Sequence, residues 1–245
     1  MMTVKGTVVF GPKLSTITNG LVLYLDAANS NSYSGTGSTW YDISGLNNNA
    51  TLVNNPTFSA TNNGIFTFNG TNTYGTIPYT IQSQFANQIT ICAWVNLSWF
   101  DSGNGDGVEI IAKDTPTLAS PYTIYNLGIS NSGLPISSLG NGISRIQLSA
   151  SKAISLNTWI YLCTTYDGSI LKMYINGVQD INTMSGTYTI GQNTVPLTIG
   201  SNQTLGSYYD WFKGSIGSIM MYNRALSPTE VLFNYNVTKT RFGLI

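Results

Sequence analysis

Histidine is absent from this chain, and charged residues are scarce. Lysine, arginine, aspartate and glutamate make up 8% of the 245 residues, and the formal net charge is zero, whereas about a quarter of a typical globular protein is charged. Without histidine, Ser-His-Asp and Cys-His catalysis and histidine-bearing zinc sites are excluded. A neutral surface attracts little at a distance, so we expect no nucleic acid and no membrane as partner.

Long apolar runs are also missing. No stretch of about 20 apolar residues is present, so we expect no transmembrane segment. The first 20 residues, MMTVKGTVVFGPKLSTITNG, lack the apolar stretch and small-residue cleavage site of a signal peptide. If the protein acts outside a cell, we expect it to leave by another route, such as release with a particle on lysis.

Cysteine is limited to Cys92 and Cys163. Both lie in apolar, strand-like runs, ITICAWV and WIYLCTTY, where buried free thiols are common. A disulfide would require their Cα atoms to lie within about 7 Å, which the sequence does not reveal. We therefore predict two free thiols.

The segment 159–180, WIYLCTTYDGSILKMYINGVQD, carries the clearest structural signal. Asp167-Gly168 and Asn176-Gly177 each follow an apolar run, and such pairs favour tight hairpin turns that need positive φ. This pattern predicts strand, turn, strand, turn, and therefore an antiparallel β fold.

Short apolar runs separated by loops continue along the chain, which predicts a two-sheet sandwich. No linker divides the sequence, so we expect one domain at 19–245, preceded by an arm at 1–18. That arm is either a surface segment or a strand added to a neighbouring subunit. The predicted strands are 21–25, 65–68, 74–77, 89–95, 108–113, 123–129, 144–148, 159–166, 170–175, 196–200 and 213–222.

One helix is predicted near the C-terminus. Ser227 suits the N-cap, Pro228 the first helical position, and Glu230 completes a capping box. We expect the helix to run to about Asn236 and interpret Glu230 as a cap, not a catalytic acid.

The hairpin resembles the hallmark of laminin-G-like domains of the concanavalin A-like lectin/glucanase superfamily, and other segments follow in the family's order. These segments are GLVLYLDAAN at 20–29, WYDISGLNNNATLVN at 40–54, FNGTNTY at 68–74, ITICAWVN at 89–96 and FKGSIGSIMMYNRALSPTE at 212–230. The resemblance implies an all-β, antiparallel jelly-roll sandwich with six or seven strands in each sheet. The segments LYLDAANSNSY and NYNVTKTRFGL are most similar to versions of this module in phage virion proteins.

Neither the metal nor the catalytic residues of the superfamily carry over. Relatives that bind Ca²⁺ have acids where this chain has Asn69, Thr73 and Gly217-Ser218. The Glu-x-Asp-x-Glu strand of the glucanase branch is absent, and a glycosidase needs two facing carboxylates. We therefore expect no enzyme and no cofactor, with Ca²⁺ not favoured.

Two loop regions remain as candidate sites. Exposed aromatic residues next to amides and hydroxyls suit a sugar, but they also suit loop packing or a subunit contact. The candidate ligand-binding residues are Trp99, Phe100, Tyr208, Tyr209 and Trp211. Asp101, Asn104 and Asp106 are weak candidates for metal ligands, for which an ordinary solvated loop is the preferred interpretation.

The sequence thus predicts a non-enzymatic structural or decoration protein on the outside of a phage particle. Its expected partners are other virion proteins and further copies of itself, together with host-surface glycans as a possible ligand. The alternative is a carbohydrate-binding adhesion module in a phage fibre or a cell-surface protein.

Overall fold

The computed structural model describes residues 15–79, 85, 87–101, 107–116, 123–204 and 206–245. In this part of the chain, two eight-stranded antiparallel sheets form a sandwich, and a separate two-stranded hairpin accompanies them. The all-β jelly-roll prediction is confirmed, with more strands in each sheet than the resemblance implied. Most of the predicted arm lies outside the described residues.

The first sheet has the order β14-β13-β12-β7-β18-β5-β4, and β1 also pairs with β18. Its strands are β1 (Leu21–Asp26), β4 (Thr57–Ser59), β5 (Ile65–Asn69), β7 (Ile89–Leu97), β12 (Trp159–Tyr166), β13 (Ile170–Ile175), β14 (Val178–Ser185) and β18 (Lys213–Tyr222).

The second sheet has the order β11-β10-β9-β8-β15-β6-β3-β2. Its strands are β2 (Thr39–Trp40), β3 (Ala50–Val53), β6 (Tyr74–Ile77), β8 (Val108–Asp114), β9 (Thr123–Ile129), β10 (Pro135–Gly140), β11 (Arg145–Ser149) and β15 (Leu197–Ile199). The separate hairpin consists of β16 (Asn202–Thr204) and β17 (Ser207–Tyr209).

Strand β7 shows how the core is built, because both of its faces are buried. Ile89, Ile91 and Val95 point into the main core between the sheets. Cys92 and Trp94 alternate with them and belong to a second apolar cluster on the other face. The first sheet is therefore covered on its outer face as well.

That outer cover is the C-terminal segment. The helix α1 (Pro228–Thr238) begins with the predicted capping box of Ser227 and Glu230, and a 3₁₀ turn (Lys239–Phe242) continues it. The Phe242 ring stacks on Trp94 with centroids 4.3 Å apart, and the Trp94 indole N–H donates to Thr238 Oγ1 at 2.8 Å. No helix among the described residues is long and apolar enough to span a bilayer.

The prediction of two free thiols was wrong. Cys92 on β7 and Cys163 on β12 are directly opposed, with Cα atoms 4.0 Å apart, and they form a disulfide. The pairing depends on the register between two strands that are 71 residues apart in sequence. Composition around either cysteine carries no information about that register.

All eleven predicted strands are present, and seven further strands were missed. Most of the missed strands are short or polar. For example, β14 reads VQDINTMS and exposes most of its side chains, because it lies at the edge of the first sheet. An edge strand has only one neighbour and so needs fewer apolar residues.

Candidate functional site

Three aromatic rings meet at one end of the sandwich. Tyr74 begins β6, Tyr208 lies on β17, and Trp211 follows that hairpin. The ring centroids of Tyr74 and Tyr208 are 4.2 Å apart, and that of Trp211 lies 5.9 Å from Tyr74 and 6.1 Å from Tyr208. Of the predicted aromatic residues, Tyr208 and Trp211 are thus brought together, and they share Tyr74 as a neighbour.

Trp99 lies in the loop after β7 and is 52% exposed. The Lys213 ammonium sits 5.6 Å from the centre of its ring, within the range of a cation–π contact. The Lys213 side chain also runs so close to Gly70 that a Cβ at that glycine would lie 2.7 Å from Lys213 Cβ. We refer to Tyr74, Trp99, Tyr208, Trp211 and Lys213 as the aromatic surface.

The two halves of the aromatic surface adjoin in sequence at Phe212, whose fully buried side chain belongs to the main core. The Phe212 N–H donates to the Gly200 carbonyl at 3.0 Å, and the Glu109 N–H donates to the Asp210 carbonyl at 2.9 Å. On either side of this buried ring, Trp211 is half-buried and Lys213 is exposed.

Phe100 and Tyr209 lie apart from this arrangement. Phe100 is partly buried against the main core, where its ring lies over Gly133. Tyr209 is exposed and follows Tyr208 directly on β17, so its ring points to the opposite face of the hairpin. Tyr74 and Lys213 were missed, because their roles depend on neighbours that are distant in sequence.

The loop after β5 holds Asn69 and Thr73, two of the positions where the family resemblance implies metal ligands. Asn69 Oδ1 accepts hydrogen bonds from the backbone N–H groups of Thr71, Asn72 and Thr73, at 2.9, 3.1 and 3.2 Å. The oxygen is therefore occupied by the turn itself. Asn69 thus fixes the turn that directly precedes Tyr74 of the aromatic surface.

Gly217, another of the positions where the resemblance implies a metal ligand, contacts a protein cation through its carbonyl. The Arg241 guanidinium donates to the Gly217 carbonyl at 3.2 Å and to the Asn62 and Gly64 carbonyls. It also forms an ion pair with Asp26, at 2.6 Å between Nη1 and Oδ1. A fixed guanidinium thus joins β1, β18 and the C-terminal segment.

Asp101 is partly buried, while Asn104 and Asp106 lie outside the described residues. Across the described part of the chain, no three side chains of histidine, cysteine, aspartate or glutamate lie close enough together to hold a metal ion. The weak metal candidates at 101–106 remain a prediction.

Two carboxyl groups are buried beneath the β16–β17 hairpin. Glu109 Oε1 accepts from Asn126 Nδ2 at 2.6 Å, and Asp114 Oδ2 accepts from the Gln203 N–H at 2.8 Å. Burial is the main cause that raises the pKa of Glu109 well above its ordinary value and that of Asp114 to about 7. Neither carboxyl faces open solvent.

A polar cleft of about 750 Å³ lies on another part of the molecule, between the end of β1 and the C-terminal segment. Tyr24, Asp26, Asn63, Thr240 and Arg241 contribute to its walls. The Tyr24 hydroxyl donates to Asp26 Oδ2 at 3.2 Å. Its charged groups are thus already paired with each other.

Most of the chain matches one known protein family. The family model described as "Concanavalin A-like lectin/glucanases superfamily" matches residues 69–232. No curated protein sequence matches the chain.

Solved structures with the same fold are distant in sequence. The binding domain of Paraclostridial Mosquitocidal Protein 1 is 16% identical, with a TM-score of 0.68 over 89% of this chain. A structure of botulinum neurotoxin type C, whose cell entry is described as dependent on two ganglioside molecules, is 15% identical, with a TM-score of 0.69 over 91%. This chain spans about half the length of those two proteins, at 52% of each.

A third structure is matched over nearly its whole length. Domain 4 of AbnA, an extracellular arabinanase from Geobacillus stearothermophilus in complex with arabinotriose, is 16% identical, with a TM-score of 0.65. The match covers 89% of this chain and 98% of that domain. At this identity, these likenesses show a common fold.

Proposed function

Because this chain belongs to the concanavalin A-like lectin/glucanase superfamily, we propose that it is a non-enzymatic carbohydrate-binding module. The aromatic surface would make the contact. Two observations carry this proposal: Tyr74, Tyr208 and Trp211 form one group of rings, and the exposed Trp99 ring is contacted by Lys213, two residues after Trp211.

The chemistry of this surface suits a sugar. Tyrosine and tryptophan offer a large apolar face and a polar edge, which matches the C–H and O–H groups of a pyranose or furanose ring. The adjoining loop carries the neutral amides of Asn69 and Asn72, which are bonded to each other through Asn69 Nδ2 and Asn72 Oδ1. Lys213 is the cation within the aromatic surface, so a neutral or weakly anionic glycan fits best.

The named structures support this proposal without locating the site. The arabinanase domain is described with arabinotriose bound, and the botulinum neurotoxin type C with gangliosides. Their low identity does not allow individual binding residues to be transferred. The assignment to the aromatic surface therefore rests on this chain's own geometry.

The non-enzymatic part of the proposal rests on the two glutamates. Glu230 Oε2 accepts from the Ser227 N–H at 2.8 Å, as expected of a cap. Glu109 is buried beneath a hairpin. Neither is placed as the second carboxylate of an open glycosidase cleft.

A glycan array followed by titration calorimetry tests the proposal. We expect saturable binding to at least one glycan class, weakened about 30-fold or more by Trp99→Ala or Trp211→Ala. Tyr41→Ala is the matched control, because Tyr41 is also exposed, at 49%. Tyr41 directly follows β2, which pairs with the start of β3, whereas Tyr74 pairs with Val53 at the other end of β3. Equal loss in the control variant, or no binding by the parent chain, would overturn the proposal.

A structural role on a phage particle is the second candidate, and the named structures include no virion protein. It draws support from β14, where Val178 and the 86%-exposed Ile181 present aliphatic side chains at a sheet edge.

We propose that residues 19–245 form a single domain and that residues 1–18 form an arm toward a neighbouring subunit, at a virion or cell surface. Light scattering tests this: an oligomer that Ile181→Lys converts to monomer supports it, and a monomeric parent chain contradicts it.

A further inference from the structure

A layer of polar side chains is enclosed between the outer face of β8 and the β16–β17 hairpin. Glu109 and Asp114 come from β8, and Ser201, Asn202 and Gln203 come from the hairpin and the residue before it. We refer to these five residues as the oxygen cluster. Glu109 and Asp114 are 7% and 2% exposed.

Each member has a buried oxygen without a hydrogen-bond partner in the described structure. These atoms are Glu109 Oε2, Asp114 Oδ1, Ser201 Oγ, Asn202 Oδ1 and Gln203 Oε1. Buried polar atoms are normally paired, because leaving one unpaired costs about 1–3 kcal/mol. A ligand that is coordinated by oxygen atoms would satisfy all five at once.

Hydrogen bonds tie the cluster into one unit. The Gln203 N–H donates to Asp114 Oδ2 at 2.8 Å, and Asn202 Nδ2 donates to Asp210 Oδ2 at 2.6 Å. The Asp210 carbonyl in turn accepts from the Glu109 N–H at 2.9 Å. The contacts thus run from Asp114 through the hairpin and back to Glu109.

The electrostatic setting is acidic. Glu109, Asp114 and Asp210 interact repulsively with one another, and Arg145 is the cationic group that acts on both Glu109 and Asp114. Glu109 and Asp114 are buried and Asp210 is half-buried, so one guanidinium offsets only part of this repulsion. Burial and this repulsion disfavour the ionised carboxylates, and a cation bound among them would offset both effects.

We propose that the oxygen cluster binds a hard divalent cation, of which Ca²⁺ is the best fit. Ca²⁺ takes six to eight oxygen ligands, and carboxylates, amide carbonyls and hydroxyls all serve. Glu109 and Asp114 supply the carboxylate ligands. No third acidic side chain lies close enough among the described residues, so the amide oxygens of Asn202 and Gln203 complete the ligand set.

The proposal goes beyond carbohydrate binding and departs from the expectation of no cofactor. Its residues differ from positions 69, 73, 217 and 218, where relatives carry acids. The same hairpin that supplies Asn202 and Gln203 also carries Tyr208, and Trp211 follows it. A bound cation would therefore fix the hairpin and, with it, part of the aromatic surface.

Thermal unfolding with added Ca²⁺ or with EDTA tests the proposal at pH 7.5. At a Ca²⁺ concentration about 100-fold above Kd, we expect Tm to rise by about 5–10 °C relative to EDTA. Tb³⁺ luminescence excited through nearby tryptophan gives a second measurement, and Ca²⁺ should displace the signal. Glu109→Gln and Asp114→Asn should each weaken Ca²⁺ binding at least tenfold and remove the Tm response.

Asp180→Asn is the matched control, because that carboxylate instead accepts from the Ser151 N–H and hydroxyl, at 2.9 and 2.8 Å. It should respond to Ca²⁺ as the parent chain does. A parent Tm that is equal in Ca²⁺ and EDTA overturns the proposal, as does an unchanged response in both cluster variants. Because these readouts need no sugar, their failure is distinguishable from failure of the carbohydrate proposal.

Discussion

The two sheets bury their outer faces under covers of opposite chemistry. On the first sheet, Trp94 and the Cys92–Cys163 disulfide lie under α1 and Phe242, in an apolar cluster. On the second sheet, Glu109 and Asp114 lie under the β16–β17 hairpin, among unpaired oxygens. The first cover contributes stability through apolar burial, whereas the second incurs a desolvation cost that a ligand could offset.

The largest expected effect is on the apolar cover. Phe242→Ala removes a ring that contacts Trp94 and Trp159, with centroids 4.3 and 4.4 Å away. We expect the free energy of unfolding to fall by about 3–4 kcal/mol, as for other buried phenylalanines. Urea denaturation measures it, with Leu232→Ala at an exposed position of the preceding helix α1 as control, expected below about 1 kcal/mol. Equal losses in both variants would contradict the assignment of Phe242 to a packed cover.

The disulfide should contribute a similar or smaller amount. Cys92→Ala combined with Cys163→Ala opens a loop of 71 residues, and the free energy of unfolding should fall by about 2–4 kcal/mol. Comparing the parent protein with and without reductant in urea checks the same quantity. Intact mass after alkylation without reduction provides the control, since uptake of label by both cysteines would show free thiols instead.

A smaller effect is expected at the start of α1. Arg224 and the Ser227 cap lower the pKa of Glu230 to about 2. Its folded pKa lies below the unfolded value of about 4.3, so its stabilisation is present above that value and is lost as the pH falls toward 2. Glu230→Gln should cost about 1 kcal/mol at pH 7 and nearly nothing at pH 2. Urea unfolding of both proteins at the two pH values measures the difference, and a cost that persists at pH 2 would refute the ionic contribution.

The smallest effect should appear in the polar cover when no divalent cation is present. Glu109→Gln keeps the shape of the side chain and replaces a carboxyl group whose ionised form is disfavoured by burial, so in EDTA we expect stability within about 1 kcal/mol of the parent protein, or slightly higher. A loss of 3 kcal/mol or more in EDTA would remove the contrast between the two covers, because Glu109 would then behave as a fully satisfied core group.

The sequence predicts a structural element well where residues close together in the chain determine it. The hairpin at 159–180 followed from Asp167-Gly168 and Asn176-Gly177, and both Gly168 and Gly177 have positive φ. Strand β10, PISSLG, escaped prediction because its serines and proline are typical of a loop, although the strand is fully buried. Ser137 is accommodated there by donating to the Asn126 carbonyl at 2.9 Å.

The proposed site could be reached only in part from the sequence. Trp99, Tyr208 and Trp211 were candidates on the basis of loop composition, whereas their neighbours Tyr74 and Lys213 were not predicted. Glu109 was not predicted as a site residue, and the polar layer around it joins β8 to residues about 90 positions away, as in the contact between Asp114 and Gln203. No local pattern marks such a contact.

Turn chemistry, strand alternation, the helix cap and the lack of charge and histidine follow from the sequence alone, because each depends on residues within a few positions of one another. The partner of each cysteine, the neighbours of Trp99 and Tyr208, and the covers of the two sheets were decided only in the tertiary structure. They depend on strand register and sheet packing, which the whole core determines together.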